Sequence, residues 1–123
     1  MKEYIKARKR AFGYAFKGIA ALFREEAHAK IHLCVAILVV IAGFLFRLSS
    51  CEWCAILICI GAVLMGEAFN SAIEALADKI SPGYDPLIGK AKDLGAAAVL
   101  LFVFAAVAVG LIIFIPKILS FIL

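Results

Sequence analysis

Glu67, Asn70, Glu74 and Asp78 follow one another at steps of three, four and four. At about 100° per residue, those steps put four polar side chains along one stripe of a helix. The other side is read as apolar, carrying Phe69, Ile73 and Leu76. Nothing from Trp53 to Gly66 is charged, so the stripe arrives at the deep end of a hydrophobic helix. A polar group there is costly unless something satisfies it, and that cost marks the stripe as a candidate site. Cations and further acids lie on either side in sequence: Lys17, Glu25 and Glu26 upstream, Asp85, Lys90, Lys92 and Asp93 downstream. Carboxylates beside a basic cluster suit phosphate chemistry. Acids hold Mg²⁺, lysines neutralise phosphate oxygens, and one more acid takes a proton. No Walker A sequence is present, because Gly89-Lys90-Ala91 lacks the earlier glycine and the Ser or Thr, and no GxGxxG occurs. The residues alone leave three readings open: a phosphoryl-transfer site, a proton or ion relay, or polar glue between helices.

The elements that must position this stripe are membrane helices. With 66% hydrophobic residues among 123 and a mean hydropathy of +1.08, a soluble domain could not hide the apolar surface. Four cysteines include Cys51-Glu52-Trp53-Cys54, which has the spacing of a redox or zinc pair but no second pair. Cys34 and Cys59 fall in apolar runs and are read as packing residues.

Residues 1–29 repeat aromatic and aliphatic positions at Phe12, Phe16, Ile19 and Phe23 between basic residues. That pattern predicts an amphipathic helix on the membrane surface, locally weakened at Gly13 and Gly18. The region 30–123 then holds three transmembrane helices, making one membrane domain. The first begins near Ala27 and ends before Arg47, with His28 and His32 as hydrogen-bonding interface residues. Trp53 anchors the start of the second at the interface. Its fourteen uncharged residues, Trp53 to Gly66, span only about 21 Å at 1.5 Å each, so Glu67 enters the membrane's edge. Ser81-Pro82-Gly83-Tyr84-Asp85-Pro86 breaks that helix. Gly89 to Gly95 opens the third, whose thin start at Gly95 to Ala98 admits a close neighbour. Pro116-Lys117 is read as its end, with a short hydrophobic tail beyond.

Eleven of the thirteen Lys and Arg fall on one side of these spans, leaving Arg47 and Lys117 on the other. The positive-inside rule then places the N-terminus, the Pro-Gly loop and the acidic stripe on the cytoplasmic face, where ATP is available. A basic run beside a span points to anionic lipid rather than nucleic acid. Against a transporter, the outer halves of the second and third helices lack ionisable groups. A non-catalytic assembly subunit is the other rival.

Glu67-Ala-Phe-Asn70-Ser-Ala-Ile-Glu74-Ala-Leu-Ala-Asp78, then Tyr84 and Ala91-Lys92-Asp93-Leu-Gly95-Ala-Ala-Ala, closely resembles the bacterial integral-membrane diacylglycerol kinase and undecaprenol kinase family. The resemblance covers residues 12 to 116. His32-Leu33, Glu52-Trp53 and Gly110 to Lys117 look more like the undecaprenol-kinase branch. It implies an ATP- and Mg²⁺-dependent homotrimeric kinase in the bacterial inner membrane, phosphorylating a lipid hydroxyl at the cytoplasmic interface. Under it, Glu67 is the general base and Asn70 orients the transferred group. Glu26 and Glu74 hold the metal, with Glu25 as the alternative to Glu26. Tyr14, Lys17, Tyr84, Asp85, Lys92 and Asp93 face the nucleotide, while Glu67 and Ala96 meet the lipid. Ala7 stands where the family carries an arginine, so Arg8 or Arg10 substitutes. His32 replaces an acid of the diacylglycerol branch.

Overall fold

The computed structural model describes residues 1–123, all of them in four helices and their short joints. Helix α1 runs Lys2–Glu25, α2 Ala27–Leu45, α3 Ser50–Ile80 and α4 Pro86–Ile122. The last three are each long and apolar enough to cross a membrane. The chain is an all-α membrane protein.

Each boundary has a local cause. Glu26 takes an extended backbone conformation (φ −97°, ψ 113°) and breaks the chain between α1 and α2. Gly13 and Gly18 do not interrupt α1, which stays continuous across both. At the α2–α3 corner, Arg47 takes a positive φ of 54°. Ser49 and Glu52 then form a reciprocal capping box that starts α3. The third membrane helix starts at Pro86, three residues before the expected Gly89. Asp85 Oδ1 accepts from the Leu87 and Ile88 N–H groups at 2.9 and 3.0 Å, and Pro86 fits the first turn, where no N–H is needed.

Nor does Pro116 end α4, which continues to Ile122. Pro removes one intrahelical bond and crowds the carbonyl four residues back, a defect that membrane helices tolerate. The turns beyond it are held from the side. Phe46 meets Phe114 and Phe121 edge-on, with ring centroids 6.1 and 6.3 Å away.

Helix α3 is the spine. It packs against α2 on one side and α4 on the other, while α2 and α4 do not pack on each other. Both pairs are antiparallel. Along α3 and α4, Glu52 meets Lys117, Gly66 meets Val99 and Phe102, Asn70 meets Gly95, and Asp78 meets Lys92. On the other side, Ala29, Ala36 and Gly43 recur every seven residues and are buried, so α2 presents a seam of small residues. Trp53 fills the space beside Gly43 and stacks near Phe44 (centroids 4.9 Å apart). It packs inside the hairpin rather than serving only as the expected interfacial anchor.

Only 13 of the 123 residues are buried, and most large apolar side chains face outward. A small cluster of Leu48, Ile56 and Ile113 forms the interior near the α2–α3 corner. Cys34 is exposed rather than packed, and all four cysteines are free. The seam between α3 and α4 therefore does most of the positioning, with lipid or further chains as the solvent outside.

Candidate active site

Glu67 is the one buried charged residue of the chain, at 5% exposure. It lies on α3 next to buried Gly66, with Val63 one turn above. Across the seam, α2 brings up His32, whose Nε2 stands 3.2 Å from Glu67 Oε1. The approach is set by buried Ala29 and Ala36, one turn either side of His32, which let the α2 backbone come close. An unpaired buried carboxylate is expensive, and this contact is what Glu67 has. Sequence reasoning placed His32 at the interface without a partner. Spacing along α2 could not say which face would meet α3.

One turn along α3, Asn70 donates from Nδ2 to Glu74 Oε1 at 3.3 Å. Its Oδ1 is buried with no partner and points at Gly95 of α4, where an added Cβ would lie 2.6 Å away. Only a glycine admits the amide there. Ile73 shares this contact, 3.4 Å from the same position, so it faces α4 with Asn70 rather than lying opposite the stripe. Phe69 and Leu76 do face outward. Ser71 Oγ, one turn below Glu67, is also buried without a partner. No signal in the sequence set that serine apart.

Lys92 pairs with Asp78; the lysine is half-buried, its side chain 39% exposed, and the aspartate lies largely in solvent at 68%. The other candidates lie at the same end of the helices. Tyr84 and Asp93 are exposed, and Asp85 is occupied in capping α4. On α1, Tyr14 and Lys17 are exposed, with the ammonium 5.9 Å from the ring centroid. Glu26 is half-buried at the α1–α2 break, Glu25 exposed beside it. Ala96, like Ala97 and Ala98, faces away from α3, so Gly95 alone makes the thin contact with it. Within one chain, no three His, Cys, Asp or Glu side chains gather as a metal site. Asn70 and Glu74 are thus joined on α3 and Lys92 pairs with Asp78 of the same stripe, while Glu67 turns to His32 of α2. Tyr84 lines a small hollow with Asp85 and Lys92, and no hydrogen bond or ion pair ties Tyr14, Lys17, Glu26, Asp93 or Ala96 to these residues.

An amide holding one carboxylate, a buried carboxylate on the same stripe and a half-buried lysine nearby make a set suited to phosphoryl transfer. Residues 13–114 match the family described as prokaryotic diacylglycerol kinase. The chain belongs to that family. Its relatives include the undecaprenol kinase of Bacillus subtilis, 39% identical over 108 residues that cover 88% of each chain. The diacylglycerol kinase of Escherichia coli K12 is 38% identical over 99 residues, 80% of each chain. A diacylglycerol kinase of Synechocystis is 32% identical over 111 residues, 89% of this chain and 63% of its own. Membership makes this chain a lipid kinase, an integral-membrane enzyme.

Proposed function

We propose that this kinase transfers the γ-phosphoryl group of ATP, with Mg²⁺, to the hydroxyl of a membrane lipid at the cytoplasmic face of the bacterial inner membrane. The observation that carries the reading is Glu67, the chain's one buried charged group, on a stripe that leads to solvent-exposed Asp78 and its partner Lys92. A lipid alcohol can then keep its tail in hydrocarbon while its head meets a water-borne nucleotide. Undecaprenol and diacylglycerol are both candidates, since relatives of nearly equal identity carry each name.

In the reaction, Glu67 takes the proton of the lipid hydroxyl as its oxygen forms the bond to the γ-phosphorus. The bond from that phosphorus to the bridging oxygen breaks, and ADP leaves. Little covalent chemistry is asked of the protein, so positioning and charge supply the rate. Asn70, fixed between Glu74 and Gly95, orients the transferred group. Glu74 keeps its Oε2 free of hydrogen bonds within the chain, which fits a hard cation held by one or two carboxylates and phosphate oxygens. Glu26, or Glu25, is the second such carboxylate. These carboxylates would hold Mg²⁺, which would offset the phosphate charge. Lys92 exchanges Asp78 for a phosphate oxygen, while Tyr14, Lys17, Tyr84, Asp85 and Asp93 line the nucleotide's approach and Ala96 the lipid's. The domain, residues 1–123, acts as a homotrimer with α1 lying on the membrane. In support, a single chain leaves most of its apolar surface and several candidate groups outside its own seam.

The test is direct. Purified protein is incubated with labelled ATP, Mg²⁺ and each lipid alcohol in mixed micelles. Label should pass to at least one of them; transfer to none refutes the reading.

A further inference from the structure

Between α2 and α4, α3 floors an open apolar cleft of about 210 Å³. Its walls are aliphatic and aromatic from Val35 and Val39 across Ile60 and Val63 to Val107 and Phe114. His32 is the one side chain lining it that carries a nitrogen or oxygen. His32 is also the side chain whose Nε2 lies 3.2 Å from Glu67 Oε1. One imidazole therefore faces two ways, toward the buried carboxylate and toward the hydrocarbon-like space. At 23% side-chain exposure it keeps an open edge, while Glu67 at 6% does not.

We infer that His32 is the positioning residue for the base. By engaging Oε1 it fixes the rotation of the carboxylate and leaves Oε2 as the oxygen that accepts a proton. It does so at the polar head of the cleft, where an acceptor hydroxyl with an apolar chain arrives. Without His32, the carboxylate has no partner holding either oxygen, and each rotamer must be found anew in every turnover. The role is one of orientation. His32 forms no bond to phosphorus and takes no part in metal or nucleotide binding. The inference rests on the kinase reading and on Glu67 as its base.

The experiment compares wild type, His32→Ala and His32→Gln in mixed micelles, with a polyprenol and with a diacylglycerol as acceptor. Gln places its amide nitrogen close to where the imidazole places Nε2, so it tests the contact rather than the ring. Apparent kcat and the KM for ATP and for each acceptor are measured, together with binding of a non-hydrolysable ATP analogue. His32→Ala is expected to lower kcat at least about tenfold, the low end for removing a contact to a charged group. KM for ATP and analogue binding should stay at the wild-type value. His32→Gln should recover most of the lost kcat. Wild-type kcat in His32→Ala overturns the inference, and so does a His32→Gln as slow as the alanine variant with analogue binding intact. Parallel loss of analogue binding in both variants overturns it too, since the role is then structural. Failure of the wild type itself to phosphorylate any lipid counts instead against the kinase reading.

Discussion

Gly95→Ala is the sharpest perturbation available at this site, because it adds one methyl group at a known place. The new Cβ would lie 2.6 Å from Asn70 Oδ1, 3.4 Å from Ile73 Cδ1 and 3.6 Å from Asn70 Cγ. Carbon and carbonyl oxygen rest at about 3.3–3.6 Å, so one of them must retreat by about 0.7–1 Å. Two retreats are open. If α4 moves, Lys92 moves away from the stripe with it. If the amide of Asn70 swings, its bond to Glu74, already long at 3.3 Å, passes out of range. Overpacking of this kind costs about 1–3 kcal/mol, and breaking a bond to a carboxylate a similar amount. We expect kcat/KM to fall by about tenfold to a hundredfold, at about 1.4 kcal/mol per decade. Stability should change less, since Ala in a helix interior is favoured over Gly by about 1 kcal/mol, which offsets part of the crowding. Label transfer from ATP to lipid gives the first quantity and the thermal midpoint in detergent the second. Gly61→Ala is the control: the same exchange in the middle of α3, with nothing within 4 Å of the new methyl. Wild-type kcat/KM in Gly95→Ala would show that the Asn70 amide is not held by this contact, and the positioning argument would fail.

Three further outcomes follow from the same geometry. Glu67→Gln should keep ATP binding while turnover disappears; equal loss of both removes Glu67 as the base. Glu74→Gln should raise the Mg²⁺ concentration needed for half-maximal rate, and an unchanged metal dependence takes Glu74 off the ligand set. Gly43→Ala sets a methyl 2.6 Å from Trp53 Cη2 and 3.0 Å from Leu48 Cδ1, far from Glu67 in sequence. It should lower stability by about 1–3 kcal/mol, read as a lower thermal or denaturant midpoint, without changing KM for ATP. An unaltered midpoint refutes the packing account.

Much of this was legible because hydropathy and charge report directly on a bilayer. The joint at Ala27 follows from counting apolar residues against hydrocarbon thickness, and the break after Ile80 from Pro82 and Gly83. What failed were judgements about chain breakers and neighbours. Pro116 was read as a stop, yet one missing hydrogen bond is a small defect in a helix flanked by Phe46 contacts. Asp85 falls within the Ser81–Pro86 breaker, and its capping of α4 brings the helix start to Pro86, three residues before Gly89. Ile73 was put on the wrong side of the stripe. At period 3.6 it lies only about 60° from Asn70, and no single-helix pattern says how wide a seam the neighbour will cover. The His32–Glu67 contact was beyond reach for a like reason. It belongs to the crossing of two helices, and a sequence states periodicity within a helix but not rotation between helices.

The energetics rank these contacts by how freely each can change. Lys92 and Asp78 are exposed at 39% and 68%, so their pairing contributes no more than about 1 kcal/mol and opens readily to a competing anion. A phosphate bearing several negative charges is such a competitor. Glu67 is the opposite case. At 5% exposure it cannot exchange its surroundings for water without moving α2 or α3, and His32 is the polar side chain beside it. On the proposed roles, the base is fixed by the fold and the phosphate ligand is adjustable. That division suits a reaction between one substrate confined to the membrane and another arriving from water. In the proposed reaction the confined alcohol would meet a carboxylate already in place, and the soluble nucleotide would recruit its cation from a pair that costs little to open.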